Sequence, residues 1–198
     1  MQINRTAITR QFEHGMRDEN AKKTIGKISK SCDILGMTKG QFSKIDIIKH
    51  VINEIGPVHL TLGTWTAALA DIKAAEFLLN SNKILSCRAV VDRSFPTRQP
   101  KYYKEFIRVF GQKSIALMNF HAKFCLFKND QFNIVLRTSM NLNLNKRIEI
   151  YEITDCKEMY LMFKEIVDQH FNEATVHENF KSCDLQKKEI SKKVIGNW

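Results

Sequence analysis

The stretch HAKFCLFKNDQFNIVLRTS, residues 121–139, holds two β-rich runs joined by a polar segment. Asn129 and Asp130 lie in the middle of that segment, and both residue types favour turns because their side chains hydrogen-bond the local backbone. The apolar residues on either side are rich in Phe, Ile, Val and Leu, as strands are. The stretch therefore predicts a β-hairpin.

The segments around the hairpin alternate between helical and strand-like patterns. Residues 42–55 carry isoleucines and valine at helical spacing before Gly56-Pro57, which predicts a helix. The same reading predicts strands at 57–65, 83–92, 113–119 and 145–154, and helices at 66–83, 98–111 and 156–174. This order predicts an α/β fold with a mixed sheet flanked by helices on both faces.

Three regions differ in character along the chain. Residues 1–41 are polar, basic and weakly periodic, which suggests an irregular or partly helical N-terminal extension. Residues 42–175 form the expected domain, and residues 176–198 read as a basic C-terminal tail. Both basic ends are open to two interpretations, solvated tails or contacts with a charged partner.

The charge of the chain favours a polyanionic partner. Its 198 residues include 31 Lys and Arg against 21 Asp and Glu, a formal net charge of +10, and residues 101–150 are the most basic part. The five cysteines are widely spaced without metal-ligand patterns, which is typical of reduced thiols. We expect a cytoplasmic location, no metal and no cofactor.

Five polar residues follow one another around the hairpin. Alternate strand residues share a face, so His121 and Lys123 are expected on one side, either as a solvent-facing pair or aimed together at an anion. Ser139 and Asn141 share a face in the same way, and Glu149 lies on the next predicted strand. Neighbouring strands could bring all five to one patch.

Such a set suits phosphoryl transfer. A histidine nitrogen can attack phosphorus and divide a hard hydrolysis into two easier steps. A lysine ammonium and Ser or Asn side chains can hold the non-bridging oxygens, where charge develops. A carboxylate on the far imidazole nitrogen fixes the tautomer.

HAK followed by TSMNLNLNKRIE resembles the signature of the phospholipase D superfamily, H-x-K followed by G/S-S-x-N and an acidic residue on the next strand. The resemblance spans about residues 42–172 and is nearest to the short, single-motif members, which include bacterial and phage endonucleases. It implies His121 as nucleophile, Lys123 and Asn141 as phosphate ligands, Ser139 as polar support and Glu149 as the partner that orients the histidine.

The chain departs from the family pattern at two positions. Lys128 occupies the place of the usual aspartate, for which Asp130 could substitute, and Thr138 occupies the place of the usual glycine. The superfamily reaction uses two histidines, whereas this chain has one suitable motif. A homodimer whose motifs meet at the subunit interface would supply the second.

Four further residues are candidates for substrate binding. Trp65 and Thr66 follow a predicted strand, and Trp65 could stack on a base or simply pack. Arg137 and Arg147 flank the motif and suit backbone phosphates. The leading hypothesis is a metal-independent nuclease that acts on DNA or RNA. The alternatives are a non-catalytic nucleic-acid-binding protein on the same scaffold and, less favoured, a phospholipid hydrolase, for which the chain offers no evident acyl-binding or membrane-inserting segment.

Overall fold

The computed structural model describes residues 10–14 and 20–171, and eight strands of this part form one mixed sheet. The strands are β1 (Gln11–His14), β2 (Asp33–Thr38), β3 (Val58–Thr64), β4 (Ile84–Asp92), β5 (Ile115–Met118), β6 (Phe124–Lys128), β7 (Asn133–Thr138) and β8 (Glu149–Asp155). Their order across the sheet is β1-β2-β8-β7-β6-β3-β4-β5. The predicted hairpin is β6–β7, in antiparallel register from Phe124 opposite Arg137 to Lys128 opposite Asn133.

The helices are α1 (Ala21–Ile25), α2 (Lys44–Ile55), α3 (Leu69–Asn80), α4 (Phe95–Arg98), α5 (Pro100–Phe110) and α6 (157–171), with a 3₁₀ turn at Gln112–Ser114. Local chemistry sets the ends of α2. Ser43 and Asp46 form a capping box at its start. Gly56 ends it at a φ of 86°, a conformation that glycine adopts without strain.

Helices cover both faces of the sheet, as predicted. Cys125 and Phe127 of β6 belong to one apolar cluster, to which α2, α3 and α5 also contribute. Phe124 and Leu126 belong to a second cluster, which includes α6. Because alternate strand residues point to opposite faces, a strand buried on both sides is apolar throughout, as FCLF in β6 is.

The prediction of an irregular or partly helical extension over residues 1–41 is wrong for 11–14 and 33–38, which form β1 and β2 of the sheet. Strand β2 pairs with β8 from Asp33 opposite Thr154 to Thr38 opposite Glu149. A buried tyrosine explains why the strand carries a glycine, since a Cβ on Gly36 would lie 2.1 Å from Cζ of Tyr151. The tertiary partner, rather than the local pattern, makes this segment a strand. The expected tail at 176–198 lies outside the described residues.

None of the helices in the described residues has the length and apolarity that a membrane span requires.

Candidate active site

The predicted site residues gather at one edge of the sheet. The end of β3 lies beside the start of β6, with Gly63 opposite Phe124. The end of β7 lies beside the start of β8, with Thr138 opposite Tyr151. Because these neighbours are antiparallel, the end of one strand and the start of the next meet at the same edge.

His121 and Lys123 are in direct contact. Lys123 Nζ lies 3.2 Å from His121 Nδ1 and 3.3 Å from Nε2. Because these two distances are nearly equal, the ammonium lies over the imidazole ring rather than in line with the in-plane lone pair of the unprotonated nitrogen, which stays accessible. Both residues precede β6, which begins at Phe124, although the Lys123 carbonyl still accepts a hydrogen bond from the Thr138 N–H at 3.1 Å. His121 is exposed and Lys123 is partly buried.

The charge of Lys123 reflects two opposing effects. Partial burial lowers the pKa of its ammonium, and the negative charge of Glu149 acts against that shift. Glu149 is therefore close enough to Lys123 for its charge to be felt. A second anion beside Lys123 would favour the charged ammonium in the same way.

The backbone of Trp65 orients Asn141. The Trp65 N–H donates to Asn141 Oδ1 at 3.1 Å, which leaves the Nδ2 end of the amide as a donor for another group. The next residue, Leu142, forms backbone hydrogen bonds with the segment that follows Trp65. Its N–H donates to the Thr66 carbonyl at 3.2 Å, and its carbonyl accepts from the Ala68 N–H at 2.8 Å. These bonds hold the motif loop against the end of β3.

Glu149 forms hydrogen bonds with the segment that carries Ser139 and Asn145, and not with His121. Its Oε2 accepts a hydrogen bond from the Ser139 hydroxyl, and its Oε1 accepts one from Asn145 Nδ2 at 3.0 Å. Ser139 Oγ accepts in turn from the Ile150 N–H at 3.0 Å. Among the described residues, no hydrogen bond joins Glu149 to His121. The expected orienting contact is therefore absent from this arrangement.

Arg98 belongs to the site although sequence reasoning missed it. Its guanidinium carbon lies 3.6 Å from the centre of the Trp65 ring, and its Nη2 donates to the Trp65 carbonyl at 3.0 Å. The same ring is in edge-to-face contact with His121, with ring centres 5.9 Å apart at 62°. The sequence could have pointed to Arg98 through its position shortly after β4, because the ends of strands in α/β sheets commonly line ligand-binding crevices.

Solved structures share this fold, whereas no family model and no curated protein matches the chain. One is Nuc from Salmonella typhimurium, a phospholipase D family member, at 16% identity and a TM-score of 0.51, with 71% of this chain and 93% of Nuc covered. The chain has the phospholipase D fold. The polyphosphate kinase from Porphyromonas gingivalis also matches, at 15% identity and a TM-score of 0.52, over 70% of this chain and 26% of the kinase.

Within the phospholipase D fold, the position of Lys128 is remote from His121 and Lys123. Lys128 ends β6 on the side opposite Lys123, and five residues of extended chain span about 16 Å. Its Nζ donates to the neighbouring Asn129 carbonyl at 2.6 Å. Asp130 is exposed at the hairpin turn, still further along the chain. Neither residue can touch a group held by Lys123.

Asn129 makes the structural contacts of this turn. Its Oδ1 accepts hydrogen bonds from the N–H groups of Gln131 and Phe132, at 3.0 and 2.9 Å. Its Nδ2 donates to the Ile55 carbonyl at 2.9 Å, which ties the hairpin to the end of α2. The lysine at 128 therefore leaves the turn well supported.

The other substrate-binding candidates lie around the rim. Arg137 Nη2 is ion-paired with Glu152 at 2.6 Å, beside a cleft of about 350 Å³ that Ser139 also lines. Arg147 is exposed. Thr66 is buried, and its hydroxyl donates to Gln99 Oε1, so it supports the loop that carries Trp65.

A search of the described residues finds no group of three or more His, Cys, Asp or Glu side chains placed to hold a metal ion.

Proposed function

We propose that this protein is a metal-independent phosphodiesterase that cleaves nucleic acid through a covalent phosphohistidine at His121. The contact between His121 and Lys123, 3.2 Å from Nδ1 to Nζ, carries the proposal. It puts a nucleophilic nitrogen and a cation beside the same position, where one phosphate can meet both.

The first step uses the lone pair of an imidazole nitrogen. The nitrogen attacks phosphorus, a P–N bond forms, and the P–O bond to the leaving sugar oxygen breaks. Lys123 Nζ and the free Nδ2 donor of Asn141 hold the non-bridging oxygens, where negative charge increases. Water then attacks the phosphohistidine and gives a proton to the group that protonated the leaving oxygen, the P–N bond breaks, and the histidine is restored.

Ser139 and Glu149 support this chemistry indirectly. Their hydrogen bond, together with the bond from Asn145 to Glu149, fixes the segment that leads to Asn141. The carboxylate also helps to keep Lys123 charged. Both roles place the phosphate ligands without contact between Glu149 and the nucleophile.

The leaving oxygen needs a proton, and a second copy of the chain would supply it. We propose a two-fold symmetric homodimer in which His121 of one subunit attacks and His121 of the other protonates the leaving group. Three exposed apolar side chains near the motif favour such contact, namely Leu144, Ile148 and Ile150, which are 58%, 57% and 51% exposed.

The net charge of +10 favours a nucleic-acid substrate. A small phosphodiester would use the same His121–Lys123 pair, but a positive protein surface concentrates polyanions around it.

The test is incubation with labelled DNA and RNA in the presence of EDTA. Wild type should cleave at least one of them, and His121→Ala should lower the rate on the order of 10³-fold or more, because the nucleophile is lost. His59→Ala is the matched control, since His59 is an exposed histidine whose Nδ1 contacts Ser86 Oγ at 2.7 Å on another part of the sheet.

Three outcomes would contradict parts of the proposal. Equal cleavage by wild type and His121→Ala would mean that His121 is not the nucleophile. Salt-sensitive binding with no turnover would favour the non-catalytic nucleic-acid-binding alternative. A fully active protein that sediments as a monomer would exclude the dimer.

A further inference from the structure

Arg98 is held more firmly than an exposed arginine needs to be. Its guanidinium stacks on Trp65 at 3.6 Å, Nη2 donates to the Trp65 carbonyl at 3.0 Å, and Nε donates to Ser94 Oγ at 2.9 Å. A long side chain on a surface normally keeps its rotamer freedom, so these three contacts cost entropy. Arg98 is exposed, and among the described residues its Nη1 has no hydrogen-bond partner, so this donor is available to a ligand.

Asp92, which lies close to Arg98 along the chain, already accepts three hydrogen bonds from other donors. Asp92 Oδ1 accepts from the Ser94 N–H at 2.9 Å and from the Ser94 hydroxyl, and its Oδ2 accepts from the Phe120 N–H at 3.1 Å. Ser94 links Asp92 to Arg98 by hydrogen bonds, and the Ser94 hydrogen bond together with the nearby charge of Arg98 lowers the pKa of Asp92. The carboxylate therefore holds the loop in place without forming a direct ion pair with the guanidinium.

Arg98 lies close to the proposed nucleophile, and the Trp65 ring contacts both residues. The guanidinium carbon is 3.6 Å from the Trp65 ring centre, which is 5.9 Å from the His121 ring centre, so guanidinium and imidazole are within about 10 Å. The guanidinium covers one face of the indole, whereas His121 meets the ring at a steep angle. Among the described residues, no hydrogen bond links Arg98 to His121 or to Lys123.

We propose that Arg98 binds a phosphate that flanks the attacked one, so that the site takes a chain of linked phosphates rather than an isolated diester. The inference rests on the proposed function and names the polymeric nature of its substrate. A guanidinium fork held in advance binds phosphate oxygens with little further loss of entropy. The face of Trp65 that the guanidinium covers is closed to a stacking base.

The test compares two substrates in Arg98→Gln. This variant keeps a planar hydrogen-bonding group but removes the charge. We expect kcat/KM on a single-stranded oligonucleotide to fall about tenfold, mainly through KM, while kcat/KM on bis(4-nitrophenyl) phosphate changes less than about twofold. Arg108→Gln is the control with the same change of charge, because Arg108 pairs with Glu76 and Glu105 on the surface.

A binding series separates this inference from the proposed function. In the His121→Ala background, oligonucleotide affinity is measured by fluorescence anisotropy over a range of salt concentrations, with EDTA. Arg98→Gln should reduce the slope of log K against log salt by about one phosphate contact, and Arg108→Gln should leave it unchanged. Arg98→Lys should keep most of the slope.

Each outcome bears on one of the two ideas. An equal loss of kcat/KM on both substrates would overturn the role of Arg98, because it would mean that Arg98 only supports the loop of His121. No loss of kcat/KM on either substrate would also overturn it, because Arg98 would then not contact the substrate. Wild type that cleaves neither substrate would refute the proposed function. In that case an unchanged salt slope would overturn the inference and a reduced slope would support it.

Discussion

Replacement of Lys44 by methionine should stabilise this protein. Lys44 is the first residue of α2 and is completely buried. Its Nζ donates one hydrogen bond, to the Gly63 carbonyl at 2.6 Å. Burial lowers the pKa of this ammonium, and the charge of Lys123 lowers it further, while Cys125 acts in the opposite direction.

Two opposing contributions decide how much Lys44→Met changes the free energy of unfolding. Loss of a charged hydrogen bond costs about 1.5–3 kcal/mol, whereas removal of a buried ammonium relieves a desolvation penalty of several kcal/mol. Methionine has a similar length and adapts to irregular space, so no large cavity forms. We expect a net gain of about 1 kcal/mol at neutral pH, which raises Tm by about 2–4 °C in a chain of this size.

The gain should depend on pH in a defined direction. Between the lowered pKa of folded Lys44 and its ordinary value of 10.5, the unfolded chain binds more protons, so wild-type stability rises with pH. The free-energy cost of burying the charged Lys44 ammonium is therefore at its full value below the lowered pKa and disappears above pH 10.5. The advantage of Lys44→Met should shrink as pH rises through that window.

Thermal unfolding followed by circular dichroism at several pH values checks this reasoning. Lys49→Met is the matched control, because Lys49 lies in the same helix with a side chain that is 42% exposed and paired to Asp46 at 3.5 Å. Its Tm should change by less than about 1 °C. A Tm of Lys44→Met below that of wild type, or an advantage that grows with pH, would refute the argument.

Two further variants test the local packing and the departure from the family motif. Gly63→Ala should destabilise the fold by about 1–3 kcal/mol in urea unfolding, since the new Cβ would lie 2.6 Å from the Phe124 ring and 2.9 Å from the Phe120 ring; an unchanged midpoint would contradict this packing. Lys128→Asp introduces the aspartate of the phospholipase D signature but should change cleavage less than about twofold, because that position lies about 16 Å along β6 from Lys123. A large gain in rate would show that the aspartate acts at the site.

Much of the fold could be predicted because its elements carry strong local patterns. The isoleucines of α2 recur at helical spacing between a Ser cap and Gly56-Pro57, and the buried strand β6 is a continuous apolar run. The hairpin was predictable from Asn129 and Asp130, which occupy its turn. Each of these signals depends on residues that are neighbours in the sequence.

β2 could not be predicted in this way. Its residues Asp33, Gly36 and Thr38 interrupt any regular alternation, so the local pattern is weak. The segment becomes a strand because β8 offers it a hydrogen-bonded edge and the Tyr151 ring occupies the space above Gly36. Both partners are more than a hundred residues away in the sequence.

In the candidate site, too, some features follow from the sequence and others only from the tertiary structure. Residue types and their order pointed to His121, Lys123, Ser139, Asn141 and Glu149, because phosphoryl transfer needs a nucleophile, cations and a carboxylate in a small space. The contacts among them came from tertiary structure alone: Glu149 bonds to Ser139, and the Trp65 N–H sets the amide of Asn141. Arg98 joins them only because the loop after β4 folds over Trp65. Sequence spacing constrains which face of an element a side chain occupies, whereas the hydrogen bonds that orient it depend on backbone groups from other strands.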